Sequence, residues 1–393
     1  MANYSMSMPR SRISLKVKKR SVASVVADEE TADINRPLTA AVIKLYILCF
    51  LCGIIFGIAF HKSKVVDPSV IRDQMLLTDF TFLKFFLATL GTGIVSMSVL
   101  SALPATRQQF LTTYDNVAVK QTAKSKSAAV VGGIISGAGM TIAGSCPVTV
   151  FSQIGALVPN VGYTFLGGLA GTLFYGLFKP AFDNLMLAVR TDAVNKWRKT
   201  SFFVCALPVA ATLGAIVCGL ELYSPWGGNA GFQATDLFSK KSWPPYCAGM
   251  TLGLLQIPLV YYIQKPLGGS TSLLCMLGQG CVGPFKNVSP FLRKFRTGFT
   301  YWWQIFFVSG AIAGSYLSAS ASGSLDSVLG VTPMQAFVGG ALMFMGARIA
   351  GGCTSGHGFS GSALMSPLSA TMVTSMFGGA IATAMLMQRQ GLL

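Results

Sequence analysis

Long apolar runs constrain this chain more than any other feature. The first extends from about Leu38 to Phe60, which is long enough to cross a hydrocarbon core of about 30 Å. Because lipid offers no hydrogen-bond partners, such a run has to bond its own backbone and therefore predicts a helix. Runs of similar length lie at about 80–103, 161–178, 201–220, 245–263, 300–319 and 368–387. We predict an all-α, polytopic protein, integral to a membrane with many passes, and favour the plasma membrane as its location.

The charged residues support the same interpretation. Charged residues make up 11% of the chain, against about 25% in a typical soluble domain. The formal net charge is +17, but the charges lie mostly between the apolar runs, where Lys and Arg mark cytoplasmic loops. The expected partner is therefore the lipid bilayer and not nucleic acid, and the surplus also attracts anions. Lys84, near the start of the second run, is expected to extend to the membrane interface.

Composition changes along the chain suggest four segments. Residues 1–37 are polar and predict a disordered tail. In residues 179–200, apolar and charged side chains alternate at helical spacing, which predicts an amphipathic linker at the membrane interface. This linker separates a first transmembrane half, 38–178, from a second, 201–393.

Two apolar segments, residues 130–158 and 337–366, are interrupted. Each contains a Gly-rich run that ends in a polar stretch around one cysteine. Breaks of this kind persist in membranes only when they are buried in protein or line a cavity. Each segment is therefore expected to form re-entrant half-helices that meet at an internal site.

The two interrupted segments are similar to each other. When Val131 is set against Val338, eight of the sixteen positions from 131 to 146 are identical. This similarity predicts a duplication and two pseudo-symmetric halves, although the alignment leaves open whether the halves are inverted. Gly-interrupted helices at corresponding places of two halves point to a transporter binding site.

The first break predicts a site for an anion. Gly144 is expected to end one half-helix and Pro147 to begin the next. Cys146 then lies beside a helix N-terminus, whose free N–H groups favour an anion, and Ser145 adds a hydroxyl. The Cys146 thiol contributes a weak, polarisable hydrogen-bond donor.

The second break repeats this pattern around Cys353. Gly351 and Gly352 are expected to end the first half-helix, and Thr354 or Ser355 to cap the next one. His357 could bond the substrate, titrate or fix the loop, and its flanking glycines favour the last role.

Arg348 carries the one positive charge in the apolar run 336–352. Because a charge is costly there, a functional role is the default hypothesis, alongside that of an arginine extending from a short helix end. One histidine and scattered cysteines do not form a metal-ligand set. No carboxylate lies near Cys353 and His357 to orient a nucleophile. We expect no catalytic residues, no cofactor and no metal, and hence no enzyme.

The motifs GAGMTIAGSCP and GGALMFMGARIAGGCTSGHGFSG resemble the YeeE/YedE sulfur-transport family of TsuA-like thiosulfate uptake proteins. The resemblance extends from about Leu38 to the C-terminus. It implies two pseudo-symmetric halves whose short re-entrant helices meet centrally. It also implies that thiosulfate passes along cysteines by transient S–H···S contacts, with Cys146 and Cys353 at the family's positions.

The chain departs from the family at one position. Bacterial members carry a further cysteine shortly after the first helix, where this chain has Val66. Arg72 and Asp73 just downstream keep the pattern. Cys275 or Cys281 could replace the missing thiol, and the spacing selects neither.

We therefore predict a transporter of a small inorganic sulfur anion, with thiosulfate as the first candidate. A membrane sulfur-relay or sulfurtransferase-like protein, which would leave room for a soluble sulfur-handling partner, is an alternative. A channel for a different small solute is another.

Overall fold

The structure is a computed structural model. It describes residues 40–122, 124–185, 202–227, 242–280, 290–293, 295 and 299–392. The polar tail 1–37 lies outside these ranges. Within them the chain is all-α, with fourteen α-helices, two π-helical stretches and no strand, as predicted. The helices are α1 (Ala40–Lys62), α2 (Pro68–Met75), α3 (Thr81–Ala102), α4 (Arg107–Thr122), α5 (Lys126–Ala143), α6 (Thr149–Gly155), α7 (Val161–Leu185), α8 (Phe202–Tyr223), α9 (Pro245–Pro258), α10 (Thr271–Gly280), α11 (Pro290–Arg293), α12 (Phe299–Ala321), α13 (Pro333–Ala350) and α14 (Pro367–Arg389).

Among the described residues, seven helical segments are long and apolar enough to cross a membrane, or eight if one bent helix pair counts as a single span. The bent pair consists of α13 and the π-helical segment Thr354–Gly361, which meet at 49°. A multi-pass architecture therefore follows from the length and composition of the helices. The seven segments are Val42–Lys62, Thr81–Ala102, Lys126–Ala143, Val161–Phe182, Phe202–Tyr223, Pro245–Ile263 and Pro367–Arg389.

The two Gly-rich helices, α5 and α13, cross at the centre of the bundle. A Cβ atom on Gly132 would lie 2.7 Å from the carbonyl oxygen of Gly346, and one on Gly139 would lie 2.6 Å from that of Gly339. Only glycine permits so close an approach of two backbones. Because the earlier glycine of each helix meets the later glycine of the other, α5 and α13 run antiparallel.

Pairs of long helices surround this crossing. Helix α5 also packs on α14, and α13 packs on α7. Helix α1 packs on α12, and α3 packs on α9. The short elements after the two Gly-rich helices, α6 and Thr354–Gly361, are held inside these layers, against α12 and α3 respectively.

The predicted linker begins inside a helix. Helix α7 continues past Pro180 to Leu185, so the first seven residues of the segment 179–200 belong to it. The remainder of the predicted linker lies outside the described residues.

Lys84, which the sequence predicted to extend to the membrane interface, is buried and forms an ion pair. It is 3% exposed, and its Nζ lies 2.7 Å from Glu221 Oε2 on α8. The same ammonium group donates to the carbonyl oxygen of Ser224. This ion pair connects α8, which is otherwise largely exposed, to α3.

Replacing Glu221 with Ala should lower the free energy of unfolding by about 1–3 kcal/mol, because the buried ammonium of Lys84 loses its counter-charge. The loss stays below that of a fully buried pair because Glu221 is partly exposed. Thermal unfolding in detergent micelles measures the effect. The double variant Lys84→Met/Glu221→Leu should recover most of it, and equal stability of Glu221→Ala and the unmutated protein would contradict this account.

Candidate functional site

The first break follows α5. Gly144 has a φ of +56° and ends the helix in the left-handed conformation, as predicted. Its N–H group bonds to the carbonyl oxygen of Thr141, and that of Ser145 to Met140, which satisfies the end of the helix. The next helix, α6, begins at Thr149, two residues after Pro147. Cys146 therefore lies in the turn between the two half-helices.

The second break has the same design but a different continuation. Gly351 has a φ of +85° and ends α13, and the N–H group of Gly352 bonds to the carbonyl oxygen of Ala347 at 2.9 Å. The expected capping by Thr354 or Ser355 is wrong. The π-helical segment begins directly after Cys353, which occupies the N-cap position without a side-chain capping bond.

The structure brings the two cysteines together. Cys146 is 2% exposed and Cys353 is 1% exposed, and the two thiols are close enough to interact electrostatically. Each sulfur lies beside a hydroxyl group: Cys146 Sγ is 2.8 Å from Thr149 Oγ1, and Cys353 Sγ is 3.1 Å from Ser355 Oγ. Backbone N–H groups of residues 148 and 149 also face Cys146, and that of residue 356 faces Cys353. Two breaks separated by 207 positions thus form one buried, sulfur-containing centre.

Arg348 lies next to this centre. Its guanidinium group is close enough to Cys353 to interact electrostatically and donates to the hydroxyl of Ser270. In the described part of the chain, no Asp or Glu forms an ion pair with it, and its Nε has no hydrogen-bond partner. A buried guanidinium without a counter-charge is suited to an anionic ligand.

Two other predicted site residues, Ser145 and Thr354, form bonds that hold the breaks. Ser145 Oγ donates to Gln153 Oε1 at 2.7 Å. Thr354 Oγ1 lies 3.4 Å from Met140 Sδ and 3.3 Å from Met376 Sδ.

His357 is bonded across the second break. Its Nδ1 lies 2.9 Å from Ser369 Oγ on α14, and its ring packs against the backbone of Gly352. A Cβ atom on Gly352 would be 2.8 Å from Nε2, so glycine is required there. These contacts favour the loop-fixing role of His357.

Gln153 on α6 was not anticipated from the sequence. It is 2% exposed, and its Nε2 donates to the carbonyl oxygens of Val66 at 3.0 Å and Gly144 at 3.1 Å, while Oε1 accepts from Ser145. One amide therefore connects the first break to the segment around Val66. The signal in the sequence was a lone glutamine in an apolar run.

Arg72 holds the other side of the first break. Its Nε donates to the carbonyl oxygen of Thr141 at 3.1 Å, and Nη2 donates to that of Ile142 at 2.6 Å and to Gln335 Oε1 at 3.0 Å. A guanidinium at the C-terminal end of α5 satisfies free carbonyl groups and complements the helix dipole.

Of the two cysteines that could replace the missing thiol, the structure describes Cys275. Cys275 on α10 is buried and interacts electrostatically with Arg348, although its thiol donates to the carbonyl oxygen of Tyr301 at 3.5 Å. Cys281 lies outside the described residues. Within the residues that are described, no three His, Cys, Asp or Glu side chains are grouped so as to hold a metal ion.

Comparisons with known proteins identify a transport family. A family model described as Sulphur transport matches residues 62–382, a range that includes both breaks. A relative from Escherichia coli, named Thiosulfate transporter TsuA, is 24% identical over 80% of this chain and 87% of its own length. A relative from Spirochaeta thermophila with the same name is 24% identical over 79% of this chain and 89% of its own length.

Replacing Gln153 with Leu should lower the free energy of unfolding by about 2–4 kcal/mol, because three buried polar groups lose their partner. Gln256→Leu is the matched control. Gln256 is also fully buried, but neither of its amide atoms has a partner among the described residues. Its replacement should leave stability unchanged or raise it. Thermal unfolding in detergent compares the two variants, and equal losses would refute the assigned role of Gln153.

Proposed function

Because the chain belongs to the sulphur-transport family, we propose that it carries a small sulfur-containing anion, most specifically thiosulfate, across the bilayer by way of Cys146 and Cys353. The observation that supports this proposal is the meeting of two buried thiols at two helix breaks inside a membrane-spanning bundle. The names of the two relatives support thiosulfate as the substrate. The family is one of transport proteins, so the chain is an integral, multi-pass transport protein and not an enzyme.

The chemistry of a thiol suits passage better than retention. An S–H group is a weak hydrogen-bond donor with a soft, polarisable sulfur, so it can contact the terminal sulfur of thiosulfate without binding it tightly. Hydroxyl groups of Thr149 and Ser355 beside the two thiols can orient them. Arg348 supplies the positive charge that offsets part of the cost of bringing an anion into the bundle.

Ser145, Thr354 and His357 contribute to the same site by position. Their side chains are bonded to Gln153, to two methionines and to Ser369, so we assign them to holding the backbone around each thiol. Gly144, Gly351 and Gly352 are structural in the same sense, since each allows a turn or a close contact that a Cβ atom would prevent.

The two halves, 38–178 and 201–393, are proposed to be related by a two-fold axis in the membrane plane. Under the alignment of the two motifs, Gly132 corresponds to Gly339 and Gly139 to Gly346. If each residue is replaced by its counterpart, the contact of Gly132 with Gly346 becomes the contact of Gly339 with Gly139, which is also present. Ser136 Oγ donates to the carbonyl oxygen of Met343, its own counterpart, at 3.1 Å. Because α5 and α13 run antiparallel, such an axis would make the repeat inverted.

The packing of the outer helices is consistent with that relation. If α5 and α13 are counterparts, and α7 and α14 likewise, the packing of α5 on α14 corresponds to that of α13 on α7. If α1 and α9 are counterparts, and α3 and α12 likewise, the packing of α1 on α12 corresponds to that of α9 on α3. Helix α8 then has no counterpart and is an addition to the second half.

A sulfur-relay protein is less well supported. Cys353 is 1% exposed, so a soluble partner has no access to its sulfur in this conformation. A persulfide donor has to present that atom to its acceptor.

Uptake of labelled thiosulfate into proteoliposomes tests the proposal. Cys146→Ala and Cys353→Ala should each lower the initial rate by about ten-fold or more, because a contact with a charged substrate is lost. Cys52→Ala is the control, since this cysteine is buried in α1 and should leave the rate unchanged. Full uptake by both site variants would exclude the cysteine mechanism, and absence of uptake by the unmutated, correctly inserted protein would exclude thiosulfate.

A further inference from the structure

A third segment enters the centre between the two breaks. Residues 268–270 lead into α10, and Gly269 lies against the first break: a Cβ atom on it would be 3.4 Å from the side chain of Val148. Gly268 lies against the second break, where a Cβ atom would be 3.9 Å from Cα of Gly356. The start of α10, a helix of ten residues, is therefore placed beside the two thiols.

Ser270 connects this segment to both functional groups of the second break. It is 4% exposed, and its hydroxyl accepts a hydrogen bond from Nη2 of Arg348. The same hydroxyl is within hydrogen-bond reach of the Cys353 sulfur. A single serine thus lies between the positive charge and the thiol.

The charge of Arg348 is not used to stabilise its own helix. Arg348 lies in the last turn of α13, where a basic side chain commonly bonds the final carbonyl groups. Its guanidinium bonds instead to Ser270 on a different segment. The residue is buried, with 9% of its surface exposed, and yet its Nε has no hydrogen-bond partner. The other groups that interact with it electrostatically are Cys353, Cys275 and Tyr175, none of which is a carboxylate.

A second cation approaches the same region from the start of α5. Lys124 packs against Gly351, and its Nζ lies 3.0 Å from the hydroxyl oxygen of Tyr175. Because Tyr175 also interacts electrostatically with Arg348, Lys124 adds a second positive charge on the far side of this tyrosine.

We propose that Ser270 and the guanidinium of Arg348 form an oxyanion subsite that binds the sulfonate-like oxygens of the substrate. This inference rests on the proposed function. Thiosulfate has a hard end with three oxygens and a soft end with one sulfur. Guanidinium and hydroxyl donors match the oxygens, and the thiols of Cys353 and Cys146 match the terminal sulfur. The subsite orients the anion with its sulfur towards the thiols.

Separate recognition of the two ends has a consequence for selectivity. Sulfate presents the oxygens but lacks the terminal sulfur, so it should occupy the subsite without engaging the thiols. Sulfate is therefore expected to compete with thiosulfate for binding without being carried at a comparable rate.

Equilibrium binding of labelled thiosulfate to the purified full-length protein, with and without sulfate as competitor, tests the subsite. Ser270→Ala and Arg348→Gln should each weaken the binding of both anions by about ten-fold. Cys353→Ala should weaken thiosulfate binding and leave sulfate inhibition unchanged. Ser272→Ala is the matched control. It removes a nearby buried hydroxyl, at the start of α10, that donates to the carbonyl oxygen of Gly269. It should bind both anions as the unmutated protein does.

Arg348→Gln could lose binding because it fails to fold. Arg348→Lys addresses this, because it keeps the charge and should retain part of the binding. Size-exclusion chromatography should show that Ser270→Ala is fully folded. Unchanged affinity in Ser270→Ala, together with a loss in Cys353→Ala, would overturn the subsite and leave the proposed transport function intact. Labelled sulfate is measured in a parallel experiment: sulfate binding that depends on Ser270, without any binding of thiosulfate, would support the subsite and overturn thiosulfate as the substrate.

Discussion

The backbone at the two helix breaks has to be bonded inside a bundle that offers no bulk water, and most of the unusual residues of this protein meet that requirement. Gly144 and Gly351 turn the chain in the left-handed conformation and satisfy the ends of α5 and α13. Gln153 and Arg72 bond the carbonyl groups that remain free around the first break. With the backbone satisfied in this way, the bonds of the two thiols go to neighbouring hydroxyl groups, and we propose that the thiols remain available to a substrate.

Two buried cations, Lys84 and Arg348, differ in whether a carboxylate pairs with them. Lys84 is paired with Glu221, so its charge is neutralised and it serves to attach α8. Arg348 bonds to a serine, and no carboxylate pairs with it in the described ranges. Because an uncompensated charge in a membrane protein is costly, we propose that its retention beside the Cys353 thiol reflects an anion that supplies the missing charge.

Much of this centre follows from the sequence because its signals are local. The breaks, their terminal glycines and the two cysteines lie within a few residues of each other. The partners that were missed lie far away in sequence: Lys84 meets Glu221 across 137 positions, and Arg348 meets Ser270 across 78. The expected caps at Thr354 and Ser355 failed for a different reason. A π-helical segment starts directly after Cys353, and this choice depends on packing against α3 and α14, which local propensity does not encode.

Val66 is connected to the first break by one of these hydrogen bonds. Gln153 donates to the backbone carbonyl oxygen of Val66, a bond that does not involve its side chain. Val66 stands where the resemblance implies a further cysteine, and its buried side chain makes that edge of the first break apolar. We propose that, with one fewer soft contact, a larger share of anion recognition falls on charge and hydrogen bonds. Arg348 and Ser270 are placed to supply them.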